Sequence, residues 1–374
     1  MQFVLQPPPV KPMQTTDWQL VSLDHALDRY GDAWQALCIS LDINPSMHPG
    51  WVALGCTALR VHDGAEVLIG IQANELVAAL PVRIIHRRML GLPITTAELG
   101  GGAVNYHVQI ASRLEPTIVL RALSAELQRR GGWQVLVAPN IQLGTPTAQA
   151  LQDAVTLDAA YVDIHPTERS PFLPVSGTWD QYLATRNKAF RYSVRRQAKD
   201  AAAAGDDEIR WFTKPQDVAE FWHALLAVEA RSWKAAKGRA ISSRPVELRY
   251  NEALLPYLAA QDMLLGNVLY IDGRPIAYNL CCRSGGWVGQ LKTSFDDEFA
   301  KIRPGALIVQ SMVERVFSAG ASEFDFLGDA QPHKLEWTDA IREHAEFRVY
   351  SSTWLARLMH RLKRARPPTP LVSE

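Results

Sequence analysis

Cysteine is scarce in this chain. Cys38, Cys56, Cys281 and Cys282 are the only four in 374 residues, and none forms a CxxC pair. Paired thiolates for zinc are therefore missing, no metal is expected, and a reduced cytoplasmic setting fits. Adjacent Cys281 and Cys282 would point to opposite faces of a strand. An excess of charge is absent too: 39 Lys and Arg balance 39 Asp and Glu. A large nucleic-acid surface needs a basic excess, so tRNA is not expected as a partner and only a local basic groove stays open. No window approaches about 18 uninterrupted apolar residues, so no membrane span is expected. The opening MQFVLQPPPVKP has no apolar core of signal-peptide length.

What is present is a globular composition, 47% hydrophobic and 21% charged. The length favours two domains. Residues 1–15, rich in proline, read as a flexible tail. A helix is expected over Asp24–Leu41, then a loop at INPSMHPGW and a helix or strand from Trp51. AEVLIGIQANELVAALPVRII reads as two β runs around a Gln72–Ala73–Asn74 turn. ELGGGAVNYHV is a glycine-rich loop ending in aromatic and histidine side chains. A helix over PTIVLRALSAELQRR ends at Gly131–Gly132, and WQVLVAPN follows as a short buried strand.

The same order then returns. Helices are expected over Trp179–Ala204, Gln216–Ala236 and Val246–Ala259. A three-strand meander follows, turning at Asp272–Gly273 and at Ser284–Gly285–Gly286. A helix opens at Pro304 and closes at Gly320, and SEFDFLG is the next strand. Each half thus reads as hairpin, helix and strand, a structural duplication without a residue-level repeat. SPFLPVSG marks the natural boundary. The domains expected are 16–168 and 169–352, with a basic helix and tail over 353–374.

Four stretches carry more chemistry than folding requires. FDFLGDAQPHKLEWT gathers Asp325, Asp329, His333 and Lys334 around turn formers Gly328 and Pro332. TRNKAFRYSVRRQAKD sets Lys188, Arg191, Arg195 and Lys199 on one helical face, either solvated or holding an anion. VEARSWKAAKG places Glu229, Trp233 and Lys234 within one turn. FAKIRPGALIVQ puts a basic, glycine-containing turn at a helix start, a natural anion site. The terminal STWLARLMHRLKRARPP has Leu355, Leu358, Met359 and Leu362 in a stripe with cations elsewhere. It docks on its own domain or makes a weak contact with an anionic membrane surface.

RNKAFRYSVRRQAKD, SFDDEFAKIRPGALIVQSMVERVFSAGASEFDF and LGDAQPHKLEW together resemble GNAT-superfamily acetyltransferases of the cellulose- and polysaccharide-biosynthesis type. These are similar in turn to Fem-type aminoacyl transferases. The resemblance is good over Trp179–Tyr350 and faint before it. It implies an α/β (α+β) fold: two tandem GNAT-like domains with mixed, mainly antiparallel sheets, the first degenerate, and a cleft between them. It implies acetyl-CoA or another acyl-CoA as co-substrate, or aminoacyl-tRNA in the Fem-type branch. The donor pyrophosphate would rest at Arg303, Gly305 and Ala306, where Pro304 removes one N–H. Direct attack by a small-molecule or sugar-linked acceptor needs no enzyme nucleophile. Asp325 or Asp329 would take its proton, with Glu229 a distant third. Lys334 resembles a Fem-type lysine that stabilises the oxyanion or orients the donor. Arg191 and Arg195 would hold an anionic acceptor, and Lys292 and Tyr278 would line the cleft. A non-catalytic GNAT-fold binding protein is the third reading.

Overall fold

Two tight hairpin turns set the register from which the sheet grows. Ala73 and Asn74 both have positive φ (48° and 65°), as do Asp272 and Gly273 (51° and 75°). A two-residue turn of that hand matches the right-handed twist of the flanking strands. The computed structural model describes residues 15–89, 91–102 and 106–364. All but the last residue of the expected N-terminal tail, part of the glycine-rich loop and the end of the basic tail lie outside the described residues.

The first half runs β1 (Asp17–Ser22), α1 (Leu23–Ser40), α2 (Pro49–Leu59), β2 (Ala65–Gln72), β3 (Glu75–Met89), β4 (Leu92–Leu99), β5 (Ala111–Ser112), α3 (Pro116–Arg129), β6 (Val135–Gln142), α4 (Pro146–Gln152) and β7 (Ala159–Pro174). The second runs α5 (Trp179–Thr185), α6 (Lys188–Ala204), β8 (Asp207–Phe212), α7 (Val218–Glu229), α8 (Trp233–Ala236), α9 (Pro245–Ala260), β9 (Leu264–Ile271), β10 (Arg274–Ser284), β11 (Trp287–Phe295), α10 (Pro304–Ser318), β12 (Glu323–Asp325), α11 (Pro332–Leu335), β13 (Ile341–Ser351) and α12 (Trp354–Arg364). From β1 and from β8 onward the order is the same: strand, two main helices, three-strand meander, helix, strand, short helix, strand.

Both halves join one sheet, ordered β1-β2-β3-β4-β6-β13-β7-β12-β11-β10-β9-β8, with β5 on β3. The two closing strands are exchanged. β13, from the second half, lies between β6 and β7, and β7 carries the sheet on to β12. Most neighbours are antiparallel, but β4–β6 and β11–β12 are parallel. The expected division between residues 168 and 169 falls inside β7, as does part of SPFLPVSG.

Three expected elements differ. The helix over Trp179–Ala204 is two, because Arg186 is extended and the Asn187 side chain accepts from the Phe190 N–H to start α6. The helix over Gln216–Ala236 is likewise interrupted, since Ser232 is extended between α7 and α8. INPSMHPGW is partly helical: Pro49 opens α2. Cys281 and Cys282 are both fully buried, because β10 is covered on both faces and faces two apolar clusters.

Candidate functional site

A cleft of about 410 Å³ opens where the halves meet. Loops 42–45, 107–110 and 145–147 of the first half face Ser284, Trp287, Glu323, Asp325 and Arg342 of the second. Asp325, the last residue of β12, is fully buried. His107 Nε2 stands 3.0 Å from its Oδ2, and Arg342 Nη1 donates to the same oxygen at 3.1 Å. The Leu327 amide donates to Oδ1 at 2.9 Å and Ser170 Oγ at 3.3 Å. Burial alone would raise this carboxyl. The His107 hydrogen bond, the Leu327 amide and Arg342 outweigh it and hold Asp325 below the usual carboxylate range.

Beside this ion cluster two histidines are stacked. The rings of His107 and His344 lie 4.7 Å apart between centroids and 19° from parallel. His107 Nδ1 and both ring nitrogens of His344 have no partner among the described residues. His344 is buried, and burial pushes its pKa from 6.5 to about 4, so its ring is neutral near pH 7. β13 is irregular here: its register shifts against β7 after His344 and against β6 after Ala345. Such bulges re-aim side chains. With Asp325 ionised, His107 carries its proton on Nε2 and leaves the Nδ1 lone pair free to accept one.

The parallel pair β11–β12 covers Trp287–Gly289 against Glu323–Asp325 and ends with β12 itself, while β11 runs on to Phe295. The Trp287 indole lies over Gly289, where a Cβ would come within 2.1 Å of the ring. Its Nε1 reaches Asp325 at 3.5 Å. Asp325 thus borders the cleft at the end of the β11–β12 pairing. In the first half, the position in β6 corresponding to Asp325 in β12 is Val137, and α12 lies against that face.

Of the expected site residues, only Asp325 lines this cleft. Asp329 is exposed and accepts from the Arg169 amide at 3.2 Å. Lys334 folds back on its own loop, bonding the carbonyls of Leu327 and, at 3.1 Å, Asp329. Burial lowers its pKa against the pull of Glu168, Asp325 and Asp329. Glu229, fully buried, accepts from Tyr278 Oη at 2.6 Å, Lys234 Nζ at 2.9 Å and the Ile241 amide at 3.0 Å. Lys292 pairs with Glu247 at 3.0 Å. This second network packs α7 and α9 on the sheet, remote in its partners from the cleft.

Arg303 takes a left-handed conformation to start α10, with Pro304 as its first residue. The Ala306 N–H is bonded to the Arg303 carbonyl, and the Phe295 ring lies against Gly305. A cradle of several amides is therefore not formed. What this helix start offers an anion is the exposed Lys301, the Arg303 guanidinium and at most the Gly305 amide. Arg303 bonds Ser193 of α6 at 2.9 Å, Arg195 of the same helix is exposed, and Arg191 is turned onto the Arg186 carbonyl. Among the described residues no cluster of His, Cys, Asp or Glu could hold a metal ion. Nor is any described helix long and apolar enough to cross a membrane.

His107, Trp287, Arg342 and His344 were not singled out by sequence. The histidine ending NYHV was the one visible hint. Its partner Asp325 is 218 residues away.

Comparison with known proteins bears on the fold. No curated protein matches the chain. FemX shares the fold with TM-score 0.60 and 14% identity, over 89% of this chain and 98% of that one. A conserved protein of unknown function from Bacteroides thetaiotaomicron gives 0.59 at 12%, over 90% and 100%. Residues 188–335 match the family model described as the acetyltransferase (GNAT) domain, so the cleft is edged on one side by a GNAT-like unit.

Proposed function

We propose that the chain is an acyltransferase that moves an acyl group from acyl-CoA to an amine, with the acceptor in the cleft at Asp325. The observation that carries this reading is the place of Asp325, on the cleft and at the end of the β11–β12 pairing, within the stretch that matches the GNAT domain. Where that pairing ends this reading places the thioester, and in the cleft beside it the attacking group. The exposed Lys301 and Arg303 fit the donor phosphates through side chains rather than through amides. A sugar-linked acceptor, as in polysaccharide synthesis, belongs to this reading.

The roles follow from the contacts. Asp325 holds the His107 ring and its tautomer. His107 Nδ1 takes the proton that the acceptor nitrogen loses on attack, and that proton leaves with the thiol of the departing CoA. Arg342 keeps Asp325 ionised, and Lys334 stiffens the loop that follows β12. A second reading, aminoacyl-tRNA as donor, draws on the missing amide cradle at α10 and on the fold shared with FemX.

Calorimetry with acetyl-CoA, longer acyl-CoAs and tRNA tests the donor. Acyl-CoA is expected to bind, and Arg303→Glu to weaken it. Binding of tRNA alone would favour the second reading, and binding of neither would overturn both. With a working acceptor, His107→Gln should lower turnover by about 10²-fold or more while leaving donor binding unchanged. Turnover within a few-fold of wild type would remove His107 from the chemistry.

A further inference from the structure

The outer face of α12 has no role in the reaction proposed above, and its pattern points elsewhere. The helix has a docked half and an outward half. Leu355, Ala356, Met359, His360 and Lys363 face the protein: Leu355, Ala356 and His360 are buried, and Met359 packs against Val135, Tyr350 and Ala356. The His360 ring stacks on Tyr161 at 4.1 Å, and its Nε2 meets Asp163 at 3.1 Å. Lys363 reaches His165 at 2.9 Å and Asp163 at 3.4 Å. Docking is thus satisfied by one half of the helix.

The other half carries Trp354 and Leu358, with Arg357 and Arg361 along one flank and Leu362 at its border, where it also lines a groove with Met359 and Lys363. Trp354 is 65% exposed and Leu362 44% exposed, while Leu358 is half-buried. The helix has no acidic residue, and the sequence continues with Arg366. In a chain of zero net charge these cations are a local concentration beside an apolar row that ends in a tryptophan. Tryptophan suits the boundary between water and acyl chains, and arginines beside it suit anionic headgroups.

We propose that α12 lies flat on an anionic lipid surface, with Trp354, Leu358 and Leu362 immersed and Arg357 and Arg361 on the headgroups. A second copy of the chain is the poorer occupant. The outward face of 11 residues is about 16 Å long and about 10 Å wide. That is about a fifth of the roughly 800 Å² per partner that a stable interface buries.

Co-sedimentation of the full chain with vesicles of phosphatidylcholine alone, or mixed with phosphatidylglycerol, decides the matter. Binding is expected to the mixed vesicles, weaker on pure phosphatidylcholine, and lost on adding salt. Arg357→Glu with Arg361→Glu should abolish it, since each cation near such a surface contributes about fivefold in partition. Trp354→Ala with Leu362→Ala should reduce it strongly while leaving the melting temperature unchanged. No binding to mixed vesicles, or full binding by the Trp354/Leu362 variant, would overturn the proposal. So would a concentration-dependent dimer that this variant dissociates.

Discussion

A buried histidine with neither ring nitrogen bonded is an unstable thing to protonate. His344 titrates near pH 4 inside the fold and near 6.5 when unfolded. Between those values the unfolded chain binds the extra proton, so stability is complete above 6.5 and falls as the pH drops towards 4. The loss attributable to this one group is about 3 kcal/mol. Urea midpoints taken from pH 7 to pH 4 should show it, and His344→Gln should flatten the slope across that window. Asp325 adds to the same trend at lower pH. Its carboxyl is held down in the fold, so its contribution is present above its unfolded pKa and disappears as it is protonated. An unchanged slope in the glutamine variant would mean that His344 is reached by solvent. Neither residue announced its environment in the sequence. Asp325 was singled out as a base, and its five donors fit the role of holding His107 in the reaction proposed above.

Elements were legible where a local rule decided them. The turns at Ala73–Asn74 and Asp272–Gly273, the proline start of α10 and the glycine after it were all read from a few neighbouring residues. The break before α6 also had a local cause, and it was passed over because the amphipathic spacing runs on through it. Asn187 holds that break: its side chain accepts from Phe190 N at 2.8 Å. Asn187→Ala should cost about 1 kcal/mol in chemical denaturation, and Asn187→Ser much less. Equal losses in the two variants would mean that the cap is incidental. The loop after β12 was misread for a related reason. Lys334 has the right place in the sequence to reach a cleft, but carbonyls of its own loop lie nearer.

At the scale of the molecule, duplication was visible and its geometry was not. Order of elements along a chain says nothing about which half a strand will join, and β13 enters the first half through pairs with β6 more than two hundred residues upstream. Chains divided within 175–178 should therefore show no cooperative unfolding as separate pieces and recover it when mixed. A first piece that melts cooperatively by itself would contradict this. The exchange also sets a schedule for the newborn chain. β13 is the last of the described strands along the chain, and until it arrives β6 and β7 have no common neighbour. Until then the first half must wait with an open edge beside β6, available to chaperones and to other chains. The cleft, which needs both halves and Arg342 of β13, takes shape only once that strand is in place.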